Sequence, residues 1–239
     1  MPRFFKEFFE SAPFLDGEDA AHIIKSLRMR PGEGLTVCDT RGTDYHCTIA
    51  ACADGRVELT VDEAVKNETE PSVFVTLFQC LPKGDKMDSV VRQSVELGAS
   101  RIVPVLSDNC VSRPDAKSLA KKRERWQKIA DEAAGQCGRG ILPSVGECIT
   151  LKAVSDSLSN FDRAFFCYEL GGKPIRRIDS ASTSIALIIG PEGGFTAKEA
   201  EMLESGGASV STLGPRILRT ETAPLAAITA VMLETGNMD

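Results

Sequence analysis

The stretch Leu213-Gly-Pro-Arg-Ile-Leu-Arg-Thr-Glu-Thr-Ala-Pro-Leu225 sets two arginines, a glutamate and a glycine turn between a short apolar run and a helix of small residues. A second glycine-rich loop, Gly190-Pro-Glu-Gly-Gly-Phe195, lies just upstream at the end of another apolar run. Glycine lets a ligand approach the backbone closely and accepts positive φ. Gly190, Gly193 and Gly194 can therefore wrap a small molecule and offer it N–H donors. Arg219 can hold an anion, either a phosphate or an oxyanion. Glu221 or Glu192 can orient a group or accept a proton. Plainer readings exist: a tight turn for the glycines, a surface ion pair for Arg219, and an acid facing a helix dipole for Glu221. Two such loops at consecutive strand ends favour ligand binding for the glycines, whereas the roles of Arg219 and Glu221 stay open. No G-x-G-x-x-G follows the first strand and no G-x-x-x-x-G-K-[ST] occurs, so the common nucleotide fingerprints are absent.

The elements that carry these loops read as alternating strands and helices. Val73–Leu81, Ile102–Val105, Ala164–Tyr168, Ile185–Ile189 and Val210–Leu213 are strand candidates. Asp85 can cap a helix carrying Met87, Val90, Val91 and Leu97, and Ala116–Gln136 reads as a long helix with Leu119, Trp126, Ile129, Ala130, Ala133 and Cys137 on one face. Thr196-Ala-Lys-Glu199 is a capping box. Thr220 or Thr222 can cap the last helix, with Pro224 in its first turn. Such alternation predicts an α/β domain built on a mostly parallel sheet, with ligands at the carboxyl ends of its strands. Upstream of the polar stretch Val65-Lys-Asn-Glu-Thr-Glu-Pro-Ser72 the pattern differs. Asp19–Met29 reads as a short helix, and Leu35–Cys38, Tyr45–Ala51 and Val57–Val61 as strands, the last two alternating cleanly. This predicts a small, mainly antiparallel β-domain, a candidate barrel.

The 239 residues suit one large domain or two small ones. No run is apolar enough for a membrane span, and the charged start lacks a signal-peptide core. Eight cysteines without a CxxC pair or zinc spacing read as buried thiols in a reducing compartment. The net charge of −6 argues against a general polyanion binder. It is unevenly spread: residues 1–70 hold 8 Lys/Arg against 14 Asp/Glu, and residues 71–239 hold 20 of each. A polyanion site must then be a local patch, for which the first domain offers Arg3, Lys6, His22, Lys25, Arg28 and Arg30.

Together the two loops resemble the signature of the RsmE-like ribosomal RNA uridine N3-methyltransferases of the SPOUT superfamily. The resemblance extends along nearly the whole chain: Pro2-Arg-Phe-Phe5, the His22-to-Arg30 helix, Val95-Glu-Leu-Gly98 and the stretch from Trp126 through Ala133-Ala-Gly-Gln-Cys-Gly-Arg139 fit the family pattern. One departure is Gln93, beside Arg92, where the family has Lys.

The resemblance implies a PUA-like RNA-binding β-barrel over residues 1–70 and an α/β trefoil-knot (SPOUT) methyltransferase domain over residues 71–239. It implies S-adenosylmethionine as cofactor, no metal, a homodimer beside whose interface the cofactor lies, a cytoplasmic location, and methylation of uridine N3 in small-subunit (16S) ribosomal RNA. The target base must be unpaired or flipped out, since a duplex hides N3. Matched onto this chain, the cofactor contacts are Tyr168, Glu169, Ile189, Gly190, Glu192, Gly193, Gly194, Leu213, Gly214, Ile217, Leu218 and Thr220. Arg219 would steady developing negative charge and Glu221 would act as base or orienting group. RNA would be held by Arg3, His22, Arg28, Arg30 and Arg139. Alternatives are a knotted methyltransferase acting on another RNA or on a ribose 2′-hydroxyl, and a non-catalytic RNA-binding module.

Overall fold

The computed structural model describes residues 1–176 and 178–238. It divides into two compact units, Met1–Glu70 with Ala134–Leu142, and Pro71–Ala133 with Pro143–Asp239.

The first unit contains β1 (Arg3–Phe5), β2 (Phe14–Leu15), α1 (Gly17–Ala21), β3 (Gly34–Cys38), β4 (Thr43–Ala53) and β5 (Arg56–Lys66). Its sheet runs in the order β1-β3-β4-β5-β2. Only the β1–β3 pair is parallel. Among the described residues no ladder joins β1 to β2, so the sheet keeps two edges. The alternation read in β4 and β5 points Tyr45, Cys47, Ile49, Val57 and Leu59 into a core shared with Phe4, Phe9, Leu15, Ile23, Leu35 and Val37. Val61, expected on the same face, pairs with the buried Cys47 but is 38% exposed, at the last pair before the ladder shifts register. The helix expected over Asp19–Met29 is instead a single α turn followed by a π-helical stretch, His22–Leu27, ended by Arg28 at φ 54°.

Residues 134–142, assigned from the sequence to the second domain, belong to the first unit for a specific reason. The Glu70 carboxylate collects the Arg139 guanidinium (2.9 and 2.8 Å) and the backbone N–H groups of Gly140 and Ile141. Asn67 donates to the Gly138 carbonyl and the Cys38 thiol to that of Gly140.

The second unit contains β6 (Phe74–Cys80), α2 (Lys86–Glu96), β7 (Arg101–Leu106), α3 (Ala116–Cys137, whose last turn lies in the first unit), β8 (Ser144–Val145), β9 (Ile149–Thr150), α4 (Leu151–Ser157), β10 (Arg163–Cys167), β11 (Lys173–Pro174), β12 (Ser184–Ile189), α5 (Ala197–Ser205), β13 (Ser209–Thr212) and α6 (Ala223–Glu234). The sheet order is β11-β13-β10-β12-β6-β7-β8, with β9 also on β7, and every pair is parallel. Parallel strands are buried on both faces, and Ile185, Ala186, Leu187 and Ile188 are each 0% exposed. The capping box at α5 is formed in full: Thr196 Oγ1 accepts from the Glu199 N–H and the Glu199 carboxylate accepts from the Thr196 N–H.

Candidate functional site

Strands β13, β10 and β12 are neighbours, and their ladders put Cys167 beside both Ile189 and Ser211. Three chain segments therefore leave the same edge of the sheet side by side: the one after Cys167, the glycine loop after Ile189, and the arginine loop after Thr212. They enclose a cavity of about 610 Å³, a size suited to a cofactor-sized molecule. Its wall takes in Tyr168, Glu169, Ile189, Gly190, Glu192, Gly193, Gly194, Leu213, Gly214, Ile217, Leu218, Thr220 and Arg219. Cys167, Pro191, Thr212, Pro215, Arg216, Ala223 and Lys86, not singled out from the sequence, line it too.

The glycines are there for space and for backbone shape. Gly194 has φ +62°, and a Cβ on it would run into the Glu169 carboxylate. A Cβ on Gly193 would press on Asn109 at 3.0 Å. Asn109 Nδ2 donates to the carbonyls of Gly193 (2.9 Å) and Gly194 (3.1 Å), which fixes the loop from β7's side. Gly214, at φ +107°, turns the arginine loop.

Thr220 does not cap α6. Its hydroxyl donates to the Gly190 carbonyl at 2.8 Å and accepts from Gln79 Nε2 at 3.1 Å. It is 5% exposed and links the two loops. Thr222 occupies the cap position without a side-chain bond, and Pro224 sits in the first turn.

Lys86, the first residue of α2, places Nζ 2.9 Å from Glu192 Oε1 and 3.2 Å from Glu221 Oε2. Glu192 Oε1 also accepts from the Lys83 N–H. Burial pushes the Glu192 carboxyl up, but the Lys86 hydrogen bond, backbone N–H donors and the Lys86 charge outweigh it and hold the group below its ordinary range. The Lys86 ammonium is held above its own, chiefly by the bond to Glu192 and next by that to Glu221. Glu221 thus has one oxygen within ion-pair distance of Lys86. Arg219 differs: it is exposed, lines the cavity, and among the described residues makes no ion pair. It is available to an incoming anion. Cys167 is half-buried at the cavity wall, and desolvation pushes its thiol up to about 12. Among the described residues no group of three or more His, Cys, Asp or Glu could hold a metal ion, and no helix is long and apolar enough to cross a membrane.

The proposed RNA contacts divide. Arg3 donates to both Asp44 oxygens at 2.6 Å, and Arg139 is 3% exposed against Glu70. Both arginines tie the first unit together, so the expectation that they face RNA is corrected. Lys6 is likewise engaged, donating to the Phe14 carbonyl at 2.7 Å over its own ring. His22, Arg28 and Arg30 remain on the surface with Lys25.

The family profile described as an RNA methyltransferase domain matches residues 69–232, and one described as an RNA methyltransferase PUA domain matches residues 15–62. This chain belongs to the RNA methyltransferase family. Among its relatives, the Bacillus subtilis protein named ribosomal RNA small subunit methyltransferase E is 34% identical over 98% of this chain and 97% of its own length. The Synechocystis protein of the same name is 29% identical over 95% of this chain and 74% of its own. The solved structure of the Neisseria gonorrhoeae ribosomal RNA small subunit methyltransferase E bound to S-adenosyl methionine superposes with a TM-score of 0.88 at 32% identity, covering 98% of this chain and 97% of that one. A Legionella pneumophila methyltransferase with bound cofactor SAM gives 0.86 at 27% identity over the same shares. The fold of the family is thus α/β with a PUA domain and a methyltransferase domain.

Proposed function

We propose that the protein transfers a methyl group from S-adenosylmethionine to N3 of a uridine in small-subunit 16S ribosomal RNA. The observation that carries this reading is the cavity at the ends of β10, β12 and β13, walled by glycine backbone and lined by Arg216 and Arg219, which make no ion pair among the described residues, in a chain that matches a ribosomal RNA small subunit methyltransferase E over 98% of its length. The residues present suit the cofactor: Ile189, Leu213 and Leu218 offer apolar surface, the glycine loop offers close backbone approach, and Glu169 and Glu192 supply negative charge beside it.

When bound, S-adenosylmethionine supplies an electrophilic sulfonium methyl group that needs no metal. Uridine N3 carries a proton and becomes nucleophilic once that proton has passed to solvent water, the negative charge staying on the uracil. Arg219 meets the negative charge that then develops on the uracil oxygens. Glu221 and Glu192, both held by Lys86, fix the loops that border the target and keep the reacting groups aligned. Alignment of this kind contributes about 7–11 kcal/mol.

The same reading assigns residues 1–70 to RNA binding and 71–239 to methyl transfer, the latter as a trefoil knot, in a cytoplasmic homodimer. For the dimer contact, α6 offers Ala226 and Ala230, both half-buried, and Leu233, 54% exposed. Ala227 is turned into the core instead. The test is transfer of labelled methyl to 16S RNA from cells lacking the enzyme, followed by nucleoside identification. Label in N3-methyluridine supports the reading. Label in a 2′-O-methyl nucleoside, or cofactor binding without transfer, replaces it with one of the alternatives.

A further inference from the structure

Helix α3 carries six cations between Lys117 and Lys128 against one acid, Glu124, in a chain whose net charge is −6. The fold uses three of the six. The Arg123 Nε donates to the Val145 carbonyl and its guanidinium stands 3.6 Å from Glu147. Arg125 pairs with Asp88. Lys122 lies over the Trp126 ring at 5.9 Å. The other three, Lys117, Lys121 and Lys128, are exposed, and among the described residues no ion pair engages them. At 3.6 residues per turn these three fall within a sector of about 40° and span about 16 Å along the helix. The buried side chains Trp126, Ala130 and Ala133 occupy the opposite face. The loop between β7 and α3 supplies Asn109 to the carbonyls of the glycine loop that lines the cavity, and the lysine row begins in the first turn of α3, at the end of that same loop.

We propose that Lys117, Lys121 and Lys128 form a track for the phosphodiester backbone of the RNA substrate, outside the target nucleotide. This rests on the reading of the protein as an RNA methyltransferase and adds the surface that holds the rest of the substrate. Lysine ammoniums are point charges on flexible stems, suited to sequence-independent contact with phosphates. The row also resolves a difficulty. The chain is acidic, and two arginines first assigned to RNA are internal, so a polyanion needs a local cationic surface, and this one is not consumed by the fold.

The test compares wild type with the triple variant Lys117→Gln, Lys121→Gln, Lys128→Gln and with the triple Lys→Arg variant, measuring 16S RNA affinity against salt, methyl-transfer kinetics and S-adenosylmethionine affinity. Replacement by Gln should weaken RNA binding about tenfold or more near 0.1 M salt and reduce the slope of log K against log salt by about 2–3. KM for RNA should rise while kcat at saturating RNA and cofactor affinity stay at wild-type values, and the Arg variant should match wild type. Wild-type RNA affinity and slope in the Gln variant overturn the proposal, as does a loss confined to an acidic protein partner. If wild type binds the cofactor but methylates no RNA, the underlying reading fails first, a result separable from failure of the track alone.

Discussion

The hydroxyl of Thr220 donates to the carbonyl of Gly190 across 30 positions of sequence, at 2.8 Å. This bond closes the arginine loop onto the glycine loop, and Gln79 completes it from β6. Thr220→Val keeps the shape and removes the hydroxyl, so the half-buried Gly190 carbonyl loses its donor, while Gln79 Nε2 keeps only its bond to the Cys80 carbonyl. The cost is about 1–3 kcal/mol. The melting temperature should fall by about 3–8 °C, and cofactor affinity should drop about tenfold as the loops loosen. Calorimetry and titration check both; wild-type values in the two measurements would remove Thr220 as a latch.

Gly194 is the second point where one atom decides the outcome. Gly194→Ala adds a methyl that runs into the Glu169 carboxylate and imposes a left-handed residue, the latter costing about 1–2 kcal/mol by itself. A double-mutant cycle separates the terms. In a Glu169→Ala background the same substitution should cost only the backbone part, while in wild type it should also displace the exposed Glu169 carboxylate and weaken cofactor binding. Equal costs in both backgrounds would show that the contact is relieved elsewhere.

Arg219 should matter to the reaction more than to the cofactor. Arg219→Ala should lower kcat/KM for RNA by about 100- to 1000-fold, the scale of losing one donor to a developing oxyanion, with the cofactor dissociation constant within about twofold of wild type. Lysine at this position should restore little, because it lacks the planar fork. A large change in cofactor affinity with unchanged turnover would move Arg219 from the reaction to cofactor binding.

In the first unit, burial pushes the Asp44 carboxyl up, but hydrogen bonds from Arg3 and Asn67 and the Arg3 charge outweigh it and hold it below its ordinary 3.8. A depressed carboxyl stabilises the fold above its ordinary value, and that stability is lost as pH falls through the lower, folded-state one. Asp44→Asn should therefore unfold at lower denaturant than wild type at pH 7, with the gap shrinking below about pH 4. Denaturant midpoints at pH 7, 5, 4 and 3 test this; a gap that stays constant would refute the assignment.

Several features of the site were legible from residue order because they depend on local chemistry. The apolar runs ending at Ile189 and Thr212, the glycine turns after them and the Thr196–Glu199 capping box each declare themselves within a few residues. Lys86 did not, because its partners Glu192 and Glu221 become neighbours only when β12 pairs with β6, and Glu192 is 106 residues away. Arg139 misled for a related reason. Its partner Glu70 lies 69 residues upstream, so a buried tie looks like a free helix-end cation until the chain is folded. The helix expected over Asp19–Met29 is present with other bounds and turns π from His22, because the spacing of Ile23, Ile24 and Leu27 does not distinguish an α from a π turn.

Cys167 sits in the wall of the cavity proposed for S-adenosylmethionine, an alkylating agent. A sulfur nucleophile there would be a competing acceptor, able to consume the methyl group and inactivate the enzyme with its own reagent. Desolvation pushes its thiol up to about 12, which disfavours the reactive thiolate at neutral pH. Keeping that sulfur protonated protects the protein from self-modification while it waits for RNA.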